Sequence, residues 1–183
     1  MTLRLPDPRM ERVLLTESQI DAVVGELADQ VAADYSGRDP VLVTVLRGGL
    51  FFLSDLCRRI DLPLTVDFMA VSSYGPGAAG SVRITKDLDD PVEGRDVLVV
   101  EDIIDTGLTL NYLLRVLRQR RPASLAVCTL LDKDVRRLVD LPIMYRGFSV
   151  PDRFLVGYGL DLEGLWRELP YVATLKDEVW ERG

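Results

Sequence analysis

The sequence predicts an α/β fold, a doubly wound and mostly parallel sheet with helices on both faces. Three observations carry this. Short β-branched runs such as Val41-Leu42-Val43-Thr44-Val45 and Val97-Leu98-Val99-Val100 read as strands buried on both faces. They alternate along the chain with segments whose apolar residues recur at helical spacing. The chain has 183 residues, 48 % hydrophobic and 28 % charged, which makes one domain. At that length about 70 % of the unfolded surface is buried, and neither disulfide nor metal is needed for stability.

Residues 16–37 read as the first helix. Thr16 and Gln19 form a capping box, Ile20, Val23, Val24, Leu27 and Val31 recur on one face, and Gly37 is the stop. A strand over 41–46 ends at Arg47-Gly48-Gly49. A helix over 50–61 is closed by Pro63, and a strand over 64–72 comes next. Residues 73–90 are rich in Gly, Ser and Ala and read as a long loop, a length that is usually functional. A strand over 96–103, an amphipathic helix over 108–121 stopped by Pro122, and a strand over 124–132 complete the alternation. Shorter strands are expected at 154–158 and 171–175. In such a sheet the crossovers are right-handed and ligands bind at the carboxyl ends of the strands.

Composition removes several chemistries. There is no His, so Ser-His-Asp catalysis, imidazole acid–base chemistry and His metal ligation are absent. Proton transfer then falls to Asp, Glu, Lys, Tyr or Cys. Cys57 and Cys128 stand far apart inside apolar patterns and read as buried thiols of a reducing compartment. The net charge of −7 argues against a broad nucleic-acid footprint. No apolar run reaches the ~18 residues of a membrane span, and residues 1–11 lack the apolar stretch of a signal peptide. A soluble cytoplasmic protein with no membrane partner is the expectation.

The residues at the strand ends point to chemistry. Glu101 and Asp102 end one strand as adjacent carboxylates suited to the vicinal hydroxyls of a ribose. Asp105-Thr106-Gly107-Leu108-Thr109 then leads directly into a helix. Backbone N–H groups at a helix start, aided by the dipole and the Thr hydroxyls, form a phosphate cradle. Together they suggest a phosphorylated sugar. The same residues also read as a helix cap beside two solvated acids.

The run from Val99 to Thr109, Val-Val-Glu-Asp-Ile-Ile-Asp-Thr-Gly-Leu-Thr, resembles the phosphoribosyl-diphosphate signature of type I phosphoribosyltransferases. Its wording is similar to that of the hypoxanthine-guanine branch. Further stretches between Leu46 and Arg167 support the branch. The resemblance implies a Rossmann-like core over about 38–150 and a small hood from about 1–15 and 150–183. It also implies Mg²⁺ as cofactor and a homodimer or homotetramer.

Residue by residue, the resemblance implies that Glu101 and Asp102 hold the ribose hydroxyls, partly through Mg²⁺. Asp105 is the base for the purine N7 proton, and Thr106, Gly107, Leu108 and Thr109 cradle the 5′-phosphate. Arg47 and Gly48 bind pyrophosphate through backbone N–H groups, in a turn that in the family usually contains a cis peptide. Arg167 also contacts pyrophosphate. Ser73 and Tyr74 open a mobile lid that shields a cationic sugar from water. Lys133, one of only three Lys at 86, 133 and 176, faces the purine 6-oxo group and selects it over a 6-amino group. Phe154 stacks on the purine, the Leu155 backbone reads its edge, and Asp161 lies at the base end as a Mg²⁺ ligand.

Two departures stand out. Arg47 occupies a usual Lys position, and Leu108 stands where some members carry Lys. The expected activity is transfer of 5-phosphoribose to N9 of hypoxanthine or guanine. Another base specificity, xanthine or a pyrimidine, is an alternative. So is an RNA-binding regulator on the same fold, for which Arg115, Arg118, Arg120 and Arg121 would supply the basic face.

Overall fold

The computed structural model describes residues 7–73 and 82–180. The elements are β1 (Met10–Leu15), α1 (Glu17–Asp34), β2 (Val41–Leu46), α2 (Gly49–Cys57), β3 (Thr65–Ser73), β4 (Val82–Lys86) and β5 (Asp96–Ile104). They continue with α3 (Leu108–Gln119), β6 (Ser124–Asp132), a 3₁₀ turn (Asp134–Arg136), β7 (Ile143–Ser149), β8 (Leu155–Val156), β9 (Val172–Leu175) and α4 (Asp177–Trp180).

The main sheet has the order β4-β3-β2-β5-β6-β7. β2, β3, β5, β6 and β7 run parallel, and β4 is antiparallel at one edge. Alternation along the central strands divides the core. Leu42, Leu98 and Val100 join Ile20, Val24 and Leu27 of α1 and Phe52, Leu53 and Leu56 of α2 on one face. Val41, Val43, Val97 and Val99 meet Leu110, Leu113, Leu114 and Leu117 of α3 on the other. This two-residue period, buried on both sides, is why these strands read as continuous apolar runs. A second sheet, β1-β9-β8, joins the two ends of the chain. Its own apolar cluster consists of Met10, Val156, Trp166, Tyr171, Ala173 and Leu175.

α1 starts as expected. The Gln19 backbone N–H donates to Thr16 Oγ1, and the Thr16 backbone N–H donates to Gln19 Oε1 at 2.9 Å. Other boundaries differ. The 73–90 stretch contains β4, whose alternating half-buried pattern pairs it with β3. α2 ends at Cys57, short of residue 61, and Arg59 beyond it turns to Asp21 on α1. β1 and β7 are strands that local patterning does not predict. β1 is fully buried only at its two ends, and β7 carries Arg146 and Gly147 inside it. Tyr74 of the expected lid lies outside the described residues, and Ser73 is the last residue of β3.

The end of β6 is tied to its neighbours by one buried carboxylate. Asp132 is fully buried and pairs with Arg137 and with Arg146, whose Nε stands 2.9 Å away. Its carbonyl accepts from the Val150 amide at 3.0 Å. The next residue, Lys133, donates its amide to the Ile104 carbonyl at 2.9 Å. Asp132 thus fixes the strand end from which Lys133 projects. Asp132→Asn removes the charge facing two arginines. Arg146 is half-exposed and recovers water, so the expected loss is about 3 kcal/mol, the lower end for a broken buried pair. Urea unfolding checks it as a lower midpoint at unchanged slope.

Candidate active site

The chain leaves β2 toward β3 and β4 in one direction and leaves β5 toward β6 and β7 in the other. β2 and β5 are themselves paired, so the strand order reverses between their carboxyl ends and a crevice opens there. Arg47-Gly48 comes directly after β2. Glu101 and Asp102 lie near the end of β5, with Asp105 just beyond it. The Leu46–Arg47 peptide is cis.

Two clefts meet at this point. The larger is about 430 Å³ and is lined by Gly48, Asp102, Lys133, Phe154, Asp161 and Arg167 among others. The second is about 240 Å³ and is lined by Glu101, Thr106, Gly107 and Thr109 along the start of α3. Ile103 and Asp105 line both. The carboxylate expected to act as base therefore stands where the clefts join. Leu155 lines the larger cleft too, whereas Arg47 and Leu108 are exposed and line neither.

The helix start is open to an anion. Gly107 is the N-cap of α3, in a left-handed conformation, and provides no side-chain cap. Thr106 Oγ1 accepts from the Leu108 amide only at 3.4 Å, and Asp105 turns instead to Arg136. Neither Asp105 nor Thr106 therefore closes the helix as a strong cap. The free N–H groups and positive dipole end face the smaller cleft.

The acids at the end of β5 are crowded. A Cβ on Gly48 would fall 1.9 Å from Asp102 Oδ2, so only glycine lets the turn after β2 lie against that carboxylate. Burial raises the Asp102 pKa to about 6. Backbone N–H donors and Arg167 pull it down, and Asp161 pushes it up. Burial, with the Asp102 charge behind it, holds Glu101 well above the usual carboxylate range. Neither acid has an ion-pair partner among the described residues, whereas Asp161 pairs with Arg167 at 2.6 Å and accepts from the Gly164 amide at 2.6 Å. Arg167 also donates to the Gly159 carbonyl. Gly159, at φ +96, approaches the Gly48 carbonyl so closely that a Cβ would stand 2.3 Å from it.

At the other end of the larger cleft Lys133 is buried. Burial lowers its pKa, and Asp105 and Asp152 pull it back up. Phe154 lines the same cleft.

Several lining residues carry little or no signal in the sequence. Arg136 sits 3.3 Å from Asp105 and 3.5 Å from Asp152. Its only signal is the charged run after Lys133. Ile103 belongs to the signature but carries no polar group to mark it. Trp180 comes from the far end of the chain, and no local pattern links it to this cleft.

Among the described residues no group of three or more Cys, Asp or Glu side chains forms a ready metal cage. A pair of acids without ion-pair partners among the described residues fits Mg²⁺, which takes one or two carboxylates and keeps water and phosphate oxygens for its remaining positions.

A family model described as the phosphoribosyl transferase domain matches residues 14–163. The hypoxanthine phosphoribosyltransferase of Salmonella typhimurium is 51 % identical over 167 residues, covering 89 % of this chain and 94 % of that protein. The hypoxanthine-guanine phosphoribosyltransferase of Bacillus subtilis is 47 % identical, covering 94 % of this chain and 97 % of that protein. A crystal structure of a hypoxanthine phosphoribosyltransferase from Staphylococcus aureus superposes with a TM-score of 0.90 at 47 % identity, over 94 % of this chain and 95 % of that one. The chain belongs to the phosphoribosyl transferase domain family, in the branch of the hypoxanthine-guanine phosphoribosyltransferases.

Proposed function

We propose that this chain transfers the 5-phosphoribosyl group from 5-phosphoribosyl 1-diphosphate to N9 of hypoxanthine or guanine. The products are IMP or GMP and diphosphate, as purine salvage requires. The observation that carries the reading is the junction of the two clefts at Asp105, with an open helix start on one side and Lys133 and Phe154 on the other. The length and identity of the relatives support it.

In this reading the α3 N-terminus, Thr106, Gly107 and Thr109 hold the 5′-phosphate, and Glu101 and Asp102 hold the ribose hydroxyls. Gly48, the backbone at Arg47 and Arg167 meet the diphosphate. Phe154 supports the base, the Leu155 backbone reads its edge, and the Lys133 ammonium donates to O6. Asp105 accepts the N7 proton as N9 attacks C1′ and the C1′–diphosphate bond breaks. Glu101, Asp102 and Asp161 are the residues that would hold Mg²⁺. Bound there, Mg²⁺ would offset the charge of the departing diphosphate.

The described arginines near the end of α3 do not favour an RNA-binding face. Arg120 pairs with Asp87 at 2.7 Å and Arg121 with Glu93 at 2.8 Å, so part of that positive charge is already matched. The same reading takes the chain as a core over about 38–150, with α1 packed on it, and a hood from about 1–15 and 150–183. It takes the assembly as a homodimer or homotetramer, supported by the exposed Val135, Leu138 and Met144. It places the protein in the cytoplasm, consistent with the two free cysteines. No helix among the described residues is long and apolar enough to cross a membrane.

A nucleotide-formation assay with 5-phosphoribosyl 1-diphosphate, Mg²⁺ and separate bases tests the function. Turnover is expected with hypoxanthine or guanine and not with adenine. Turnover with uracil or orotate alone would refute the base assignment, and none with any base would refute the activity. Asp105→Asn is expected to lower kcat by about 10²- to 10⁴-fold with a smaller change in KM. A near-normal kcat removes Asp105 from proton transfer. Lys133→Ala is expected to raise the hypoxanthine KM by about 10- to 100-fold, the range for one hydrogen bond to a charged group. It should also narrow the discrimination against adenine, and competition assays with the two bases read this directly.

A further inference from the structure

The functional reading uses Lys133, Phe154 and Leu155 at the base end of the larger cleft and leaves the other aromatic lining residue without a task. That residue is Trp180, the last residue of α4. Its ring centroid lies 6.1 Å from that of Phe154, with the planes tilted by 31°. This is within the range of attractive aromatic pairs.

The fold holds the pair together from two directions. The Leu175 amide donates to the Phe154 carbonyl at 3.0 Å, so the strand leading to α4 runs beside the base segment. Arg153, adjacent to Phe154, pairs with Asp177 at the start of α4 at 3.0 Å and with Glu11 at 2.8 Å. The Lys176 amide donates to the Arg9 carbonyl at 3.1 Å. These contacts join β1, the base segment and α4 in one frame. Within that frame the Trp180 Nε1 is buried and has no hydrogen-bond partner among the described residues. A buried indole N–H ordinarily finds an acceptor. Among the described residues it is packing that seats the ring, and the ring lines the cleft with its apolar surface.

We propose that Trp180 is a specificity-determining residue of the base end. Its indole extends the Phe154 surface into a two-ring aromatic wall sized for a bicyclic base. A purine covers more of this wall than a single-ring pyrimidine does, so the residue favours the purine class, while Lys133 chooses among purines. This inference rests on the purine-transferase reading above.

The chain has two tryptophans, Trp166 and Trp180, so intrinsic fluorescence isolates the residue. Inosine 5′-monophosphate is titrated into the full chain and into Trp180→Phe. Ribose 5-phosphate serves as a ligand without a base, and calorimetry measures binding independently. Expected is quenching by the nucleotide but not by ribose 5-phosphate, and loss of that quenching in Trp180→Phe while the nucleotide still binds. In turnover, Trp180→Leu should raise the hypoxanthine KM by about three- to tenfold and move the 5-phosphoribosyl 1-diphosphate KM by less than about twofold, with Trp180→Phe recovering most of the loss. A merely structural role would shift both constants together. Undiminished quenching in Trp180→Phe overturns the proposal, as does an unchanged hypoxanthine KM or a parallel rise of both constants in Trp180→Leu. Nucleotide that binds the wild-type chain without quenching overturns the role of Trp180 alone. Nucleotide that does not bind at all overturns this role together with the reading beneath it.

Discussion

The paired strands β2 and β5 lie side by side, and the chain leaves them toward opposite edges of the sheet. No crossover helix can then cover the space above both carboxyl ends, so a crevice is an unavoidable product of the topology. The local sequences at those ends suit the crevice. Gly48 lets the turn after β2 press against Asp102, and Gly107 starts α3 without a capping side chain. A larger residue at position 48 would displace that carboxylate, and a Ser or Asp cap would occupy the N–H groups that face the smaller cleft. Phe154, Leu155, Leu160, Asp161 and Arg167 close one side of the crevice. The Gly157-Tyr158-Gly159 run beyond β8 bends back at positive φ so that Gly159 reaches the Gly48 carbonyl.

Electrostatics in the crevice are held away from their resting state. Burial raises the pKa of two neighbouring acids on β5 and lowers that of the lysine just after β6. Such an arrangement costs stability in the free protein and gains when opposite charge arrives. A ligand carrying phosphates, a divalent cation and a polarised carbonyl supplies those partners. The Asp132 clasp with Arg137 and Arg146 serves a different purpose, since its charges are matched within the protein and hold the end of β6 in place.

The parts of this architecture legible in the sequence are those encoded by contiguous residues. β2 and β6 stand out because they are mostly buried and nearly every position is apolar or small. The acid pair and helix start after β5 stand out because strand, turn and cradle succeed one another without interruption. β4 is hidden inside a Gly- and Ser-rich stretch, and β7 is hidden by Arg146 and Gly147. Gly147 is required there, since a Cβ would stand 2.5 Å from the Leu130 carbonyl. β1, Met-Glu-Arg-Val-Leu-Leu, lacks the alternation of a half-buried strand and takes its place only by pairing with β9. The contributions of Arg136 and Trp180 depend on two distant segments meeting, and single-chain periodicity carries no record of that.

In the proposed reading Asp105 takes the proton that histidine takes in other enzymes, and its pairing with Arg136 bears on that role. The two groups lie 3.3 Å apart, and both side chains are more than two-fifths exposed. At that exposure water screens the attraction to about 1 kcal/mol or less. A pair this weak does not lock the carboxylate. Lys133 attracts the same carboxylate from the larger cleft. A stronger clamp, buried like the one on Asp132, would hold the acid in a salt bridge that an incoming base could not displace. The Asp105–Arg136 pair is exposed and weak, whereas the carboxylate of the Asp132 clasp is fully buried, and that difference in burial separates the two.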